Sequence, residues 1–173
     1  SGEVVWDIEI GDHTKGYSAT GAPLIVAGLV ITGVGGGEYG ARGYVDAYDV
    51  ATGKRRWRRY TVPAIGEPGN ETWAGDSWKT GGGPTWATGT YDPEQNLLLW
   101  PTGNPSPDWD GDARVGDNLY TNSVLALKPE TGELVWYHKG SSEWCYKPTA
   151  MAISICLMRR QASLCAARNM LTA

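Results

Sequence analysis

The sequence predicts an all-β chain of two units, each with four short antiparallel strands, and three observations predict it. Short runs rich in Val, Ile and Leu are separated by glycine-bearing turns, the pattern of strands joined by hairpins. An eleven-residue pattern, A-x-D-x-x-T-G-x-x-x-W, occupies residues 47–57 and returns at 126–136 with Lys128 in place of Asp. No segment before residue 140 combines helical apolar spacing with capping residues.

Taken in order, the chain opens on Ser1-Gly2-Glu3-Val4-Val5-Trp6, which reads as the tail of a third copy of the repeat. Leu24-Ile25-Val26, a turn at Ala27-Gly28 and Leu29-Val30-Ile31-Thr32 form a hairpin. Residues 43–48 and 55–62 complete the first four strands. Residues 85–90, 97–102, 122–127 and 133–138 supply the second four. In each repeat a strand ends at Ala-x-Asp, a Thr-Gly turn reverses the chain, and the next strand carries Trp. Glycine supplies the turn's positive φ, and the Asp or Thr side chain can bind turn N–H groups. Tyr91-Asp92-Pro93-Glu94-Gln95-Asn96, running into Leu97-Leu98-Leu99-Trp100, is a degenerate cousin. Four-stranded units in tandem describe two blades of a β-propeller. Because such rings close with about four to eight blades, and this chain opens within a hairpin, it is expected to be a fragment of a larger protein, poorly stable and inactive by itself.

Composition divides the chain near residue 140. All 24 glycines lie at or before Gly140, whereas Cys145, Cys156, Cys165 and all three methionines lie after it. Residues 1–140 carry 11 Lys/Arg against 18 Asp/Glu, and residues 141–173 carry 4 against 1. The acidic balance of the longer part argues against a nucleic-acid surface. The one basic run, Lys54, Arg55, Arg56, Arg58 and Arg59, reads as the outer face of an exposed strand. No apolar run approaches the ~18 residues of a membrane span, and the N-terminus lacks the basic start and apolar stretch of a secretory signal. Three cysteines without C-x-x-C spacing give neither a disulfide framework nor a zinc site. Nine tryptophans with no phenylalanine indicate tryptophan at repeated structural positions, in keeping with the pattern above.

Several motifs could carry chemistry. Gly35-Gly36-Gly37-Glu38-Tyr39-Gly40 matches G-x-G-x-x-G after a strand, but a strand rather than a helix follows it, which excludes a Rossmann phosphate site. It remains a glycine loop that a flat ligand could approach closely, with Glu38 as its charged group. Asp108-Trp109-Asp110-Gly111-Asp112 lacks the glycine and final acid of an EF-hand and reads as a solvated acidic loop. Trp73, Trp78 and Trp86 stand near glycines, where an aromatic can either pack or stack on a planar ligand. The long connections at 63–82 and 103–121 are of a length usually reserved for function.

The runs Gly35 to Tyr44, Trp73-Ala74-Gly75-Asp76-Ser77-Trp78-Lys79-Thr80-Gly81-Gly82-Gly83, Thr102-Gly103-Asn104-Pro105-Ser106-Pro107-Asp108-Trp109 and Arg114-Val115-Gly116-Asp117-Asn118 resemble the quinoprotein alcohol dehydrogenases. That family includes methanol and ethanol dehydrogenases that use pyrroloquinoline quinone (PQQ). The eleven-residue repeat is similar to the family's tryptophan-docking motif, set in an eight-bladed propeller. The likeness runs through residues 1–140 and stops near Lys139. It implies that Glu38 and Asn104 bind a calcium or lanthanide ion beside PQQ, that PQQ stacks on Trp86, and that Thr20, Gly35, Gly36 and Gly37 surround its opposite face and edge. It implies oxidation of a small alcohol to an aldehyde by hydride transfer to the metal-bound quinone, electrons leaving to a cytochrome c, in the periplasm.

The sequence departs from the family at three points. Pro84 replaces a cofactor-bonding threonine found in some members. Where the family keeps its catalytic aspartate, the chain reads Gly140-Ser141-Ser142-Glu143-Trp144-Cys145-Tyr146, so no catalytic residue is expected and Cys145 stands closest to the place. The second aspartate of lanthanide-type members is absent too. Residues 141–173 have no glycine, no Asp and no repeat, and are expected to be a non-homologous, disordered or out-of-frame tail, with a partner helix over 153–171 as the functional alternative. A non-catalytic propeller scaffold is the rival for the whole chain. The combination of Glu38, Asn104 and Trp86 favours the enzyme, since a scaffold needs neither a metal pair nor a stacking platform.

Overall fold

Residues 2–140 are described in the computed structural model of the chain, and within them eight strands form two four-stranded antiparallel sheets. The first contains β1 (Leu24–Val26), β2 (Leu29–Gly33), β3 (Tyr44–Asp49) and β4 (Arg55–Tyr60) in that spatial order. The second contains β5 (Thr90–Asp92), β6 (Leu97–Pro101), β7 (Ser123–Leu127) and β8 (Leu134–Lys139). Every strand pairs with its neighbour in sequence, as in a meander. Among the described residues there is no α-helix, only five short 3-10 helices. The expectations about the tail, Cys145 and the 153–171 helix lie outside the described residues.

The sheets pack face to face, and the period of two along each strand decides which side chains meet. Val26, Leu29, Ile31, Val45 and Ala47 of the first sheet join Leu98, Trp100, Leu125 and Leu127 of the second in one buried cluster. The alternate residues Leu97, Leu99, Val124 and Ala126 pack on the far face of the second sheet, with Trp136 against them. Strands β6 and β7 are therefore apolar on both sides, which is why they read as continuous apolar runs rather than alternating ones. Burying a side chain the size of Leu98 contributes about 1.5–3 kcal/mol.

The eleven-residue repeat forms the β3–β4 and β7–β8 hairpins. Asp49 Oδ1 accepts from the backbone N–H groups of Ala51 and Thr52 and from the Thr52 hydroxyl, and the Gly53 N–H donates to the Asp49 carbonyl. These bonds, led by the Thr52 hydroxyl, hold the Asp49 carboxyl below its ordinary pKa. In the second copy Lys128 keeps the backbone turn, accepting from Gly132 N–H, and turns its ammonium to Glu133 at 2.8 Å. Between repeats the tryptophans reach forward. Trp6 Nε1 donates to Val50 O at 2.9 Å and Trp57 Nε1 to Pro129 O at 2.8 Å.

Two expectations change. Residues 85–89 are not the first strand of the second sheet, which begins at Thr90. Thr85 spends its hydrogen bonds on the other sheet instead: its N–H donates to Val34 O, and its hydroxyl donates to Tyr44 O and accepts from Val34 N–H. The basic run is not wholly an outer face. Arg58 turns inward, and its Nε and Nη2 donate to the two oxygens of fully buried Asp46 at 2.7 and 2.6 Å. The Tyr91–Trp100 cousin forms the β5–β6 hairpin as expected, and its tryptophan is buried in the cluster between the sheets, donating to Thr85 O at 3.2 Å.

Candidate functional site

Residues 81–86 form the seam that positions the site. Thr85 ties this segment to the first sheet, as above, and Gly43 N–H donates to Gly82 O. On its other side Gly83 N–H donates to Asn104 O at 2.8 Å, Gly103 N–H to Pro84 O at 2.7 Å, and Ser106 N–H to Gly81 O at 3.0 Å. This one segment thus joins the loop after β2, which carries Glu38, to the loop after β6, which carries Asn104.

Glu38 is the middle residue of the 3-10 helix Gly37–Tyr39 and is exposed. The turn is closed by Tyr39 N–H to Gly36 O and Gly40 N–H to Gly37 O. Arg42 fastens its far end. Its Nε donates to Val62 O at 2.6 Å and its guanidinium lies 3.9 Å from the centre of the Tyr60 ring. Burial pulls the Arg42 pKa below its ordinary value, partly opposed by Glu67, whose carboxylate lies 3.5 Å away. Asn104 is half-buried and lines a pocket of about 90 Å³ with Pro84, Trp86, Gly103 and Asn122. Trp86 is 51% exposed.

The remaining predicted residues lie around these. Gly35, Gly36 and Gly37 are buried. Gly35 N–H donates to Ser18 O at 2.8 Å, and Thr88 Oγ1 donates to Ala22 O at 2.8 Å. Exposed Thr20 therefore sits on a segment anchored at one end beside Gly35 and at the other beside Trp86. The structure brings Trp86 and Asn104 to one pocket, packs Gly37, the residue before Glu38, against Pro84 of that pocket, and lays the Thr20 segment along the Trp86 backbone; Glu38 itself does not line the pocket. The Asn104 amide and Glu38 carboxylate offer hard oxygen donors of the kind that calcium or a lanthanide takes. Among the described residues no group of three or more His, Cys, Asp or Glu gathers for a metal, so most of such a shell would fall to other donors. Asn122 is a pocket residue that the sequence reading assigned only to a strand. It stands just before β7 with φ 50°, a feature with no distinct sequence signal.

A family model described as PQQ: Glucose/ethanol/alcohol dehydrogenase, beta-propeller domain matches residues 1–141. The chain belongs to the PQQ-dependent alcohol dehydrogenase family. Its two sheets are accordingly blades of that family's β-propeller. It is 43% identical over 157 residues to the quinoprotein alcohol dehydrogenase PedH of Pseudomonas putida, covering 82% of this chain and 26% of that protein. It is 48% identical over 155 residues to the quinohemoprotein alcohol dehydrogenase ADH IIB of Pseudomonas putida, covering 80% and 22%. It is 39% identical over 158 residues to the lanthanide-dependent methanol dehydrogenase of Methylacidiphilum fumariolicum, covering 80% and 26%. Among solved structures, a europium-containing methanol dehydrogenase superposes with a TM-score of 0.74 at 38% identity, over 78% of this chain and 27% of that one. The chain thus spans about a quarter of the length of the curated relatives it matches. Among the described residues no helix is long and apolar enough to cross a membrane.

Proposed function

We propose that this chain supplies the metal-side half of the cofactor site of a periplasmic PQQ-dependent alcohol dehydrogenase, which oxidises a primary alcohol to an aldehyde and passes electrons to a cytochrome c. The observation that carries the reading is the seam at 81–86, which gathers an exposed tryptophan and an amide in one pocket and packs Pro84 of that pocket against Gly37, the residue before exposed Glu38. Tryptophan, amide and carboxylate are the three things a planar, anionic, metal-bound cofactor requires from a protein.

Glu38 and Asn104 would hold the cation through a carboxylate and an amide oxygen. Trp86 would carry the ring system on its exposed face, where aromatic stacking contributes about 0.5–1.5 kcal/mol beyond area burial. Gly35, Gly36 and Gly37 leave the backbone without side chains at the ring's edge, and Thr20 borders the opposite side. Bound PQQ, with its carbonyl polarised by the cation, supplies the two-electron acceptor for hydride from the alcohol carbon. The residues of this chain bind and orient. None of those described is assigned the proton transfer, and the 173-residue chain by itself is inactive and of low stability, in keeping with Ile25, Val135 and Tyr137 standing exposed on its sheets.

Titration of the purified chain with PQQ in the presence of calcium, followed by quenching of tryptophan fluorescence, tests the site. Glu38→Gln and Trp86→Ala are each expected to weaken binding about 10-fold or more. Binding equal to wild type in both variants would overturn the assignment. Alcohol-dependent dye reduction by the loaded chain would overturn its inactivity.

A further inference from the structure

Gly37 and Gly103 both lack the left-handed φ that usually explains a glycine. Space explains them instead. A Cβ on Gly37 would come within 2.5 Å of Pro84 Cδ and 2.7 Å of its Cγ, and a Cβ on Gly103 within 2.9 Å of the same Cγ. One buried proline ring is therefore clasped between two glycine backbones. The residue after the first glycine is Glu38, and the residue after the second is Asn104.

We propose that Pro84 is the spacer that sets the separation of Glu38 and Asn104, and so selects the radius of the cation they hold. This inference rests on the metal reading given above. Three properties suit Pro84 to the role. Its ring is rigid, with φ fixed near −65°, so it cannot rotate away from either neighbour. Its carbonyl accepts from Gly103 N–H at 2.7 Å, and the residue before it donates to Asn104 O at 2.8 Å, which registers the second loop against the ring. Thr85, the residue after it, is tied to Val34 and Tyr44 of the first sheet, which registers the first loop. The backbones of the two loops that carry the oxygen donors are then held apart by the width of one ring. Discrimination among hard cations depends on cavity size and rigidity, so a change in that width alters selectivity as well as affinity.

A residue that merely packs would affect all cations alike, through stability. The test exploits that difference. Terbium bound to the purified 173-residue chain is read by tryptophan-sensitised luminescence, and lanthanum and lutetium, the large and small ends of the series, are used to displace it. Pro84→Ala is expected to weaken terbium binding about 10-fold and to change the lanthanum-to-lutetium preference by about 3-fold or more. Gly37→Ala and Gly103→Ala, which force the loops apart without backbone strain, are expected to shift the preference too. Gly37→Ala should cost less in the Pro84→Ala background than in wild type, because the ring it strikes is gone. Should Pro84→Ala fail to fold, as judged by near-ultraviolet circular dichroism, the two glycine variants carry the test. A preference unchanged in every folded variant, with Glu38-dependent binding intact, overturns the spacer alone. No sensitised luminescence in wild type, or wild-type binding by Glu38→Gln, overturns the metal site and the spacer with it.

Discussion

The indole N–H of Trp57, on the last strand of the first sheet, donates to the carbonyl of Pro129 in the last hairpin of the second at 2.8 Å. The same ring lies so close to Gly132 that a Cβ there would fall within 2.5 Å of it. Trp6 repeats the relationship with Val50 and Gly53. The repeat is thus a latch, with its tryptophan engaging the turn of the next copy.

Replacing the indole with a smaller ring that has no N–H tests the latch. Trp57→Phe is expected to lower stability by about 1 kcal/mol, and more if the Pro129 carbonyl stays buried without a donor. Gly132→Ala should cost more than Trp57→Phe, since it combines a φ of 70° with the collision against the ring. Urea denaturation of both variants measures this, and a Trp57→Phe midpoint equal to wild type would show the bond to be dispensable.

Asp46 and Arg58 form a cross-strand pair whose carboxylate is fully buried. Tyr48 Oη donates to the same carboxylate at 2.6 Å, and the Arg58 guanidinium lies 3.5 Å from the Tyr44 ring centre. Burial by itself would lower the Arg58 pKa, but the hydrogen bonds and charge of Asp46 outweigh it and hold the guanidinium above its ordinary value. Breaking such a pair leaves an uncompensated charge, so Asp46→Asn is expected to cost about 3–5 kcal/mol. Replacing both residues with apolar ones should cost less than the sum of the single losses, which a double-mutant cycle would read.

The same cluster predicts the alkaline limit. Burial pushes the Tyr44 hydroxyl up to about 12, and burial together with its bond to Asp46 pushes Tyr48 higher still. A tyrosine with a raised folded pKa binds its proton more tightly when folded. Its contribution is complete below the unfolded value of about 10 and is lost as pH rises through the folded one. Melting temperature is expected to be flat up to about pH 9.5 and to fall steeply above pH 10. In Tyr44→Phe and Tyr48→Phe the fall should be shallower, and an identical slope in both would assign the transition to other groups.

Arg114 organises the long loop after Asn104. Its Nε donates to Pro107 O at 2.9 Å, its Nη2 to Asp108 O at 3.3 Å, and its Nη1 to the Asn118 side chain at 2.8 Å. Asn118 Nδ2 returns a bond to Arg114 O at 2.8 Å. Arg114→Ala is expected to speed proteolytic cleavage within residues 107–118 several-fold while changing global stability by no more than about 1 kcal/mol, because locally stabilised segments open without global unfolding. Cleavage at the wild-type rate would mean that the loop is held elsewhere.

Much of this was legible in the sequence, because the strongest signals are local. Thr-Gly turns, the spacing from turn to Trp, and the apolar runs at Leu29-Val30-Ile31 and Leu97-Leu98-Leu99 locate seven of the strands to within about two residues, the usual uncertainty of strand ends. Thr85 misled because its alternating neighbours look like a strand while its partners, Val34 and Tyr44, are distant in sequence. Arg58 misled for the same reason, since only the register with Asp46 reveals that it faces inward. The resemblance supplied Glu38, Asn104 and Trp86 as candidates, yet nothing in the residues G-G-G-P-T-W reveals that Pro84 stands between the two loops. That is a property of tertiary packing.

The forward reach of the tryptophans also gives the chain a direction in time. Trp6 finds its acceptor 44 residues later, and Trp57 finds its own 72 residues later. As the polypeptide leaves the ribosome N-terminus first, a blade whose four strands have already emerged stays unlatched until the following hairpin has been synthesised. Assembly is then ratcheted from behind, each newly made turn locking the unit made before it.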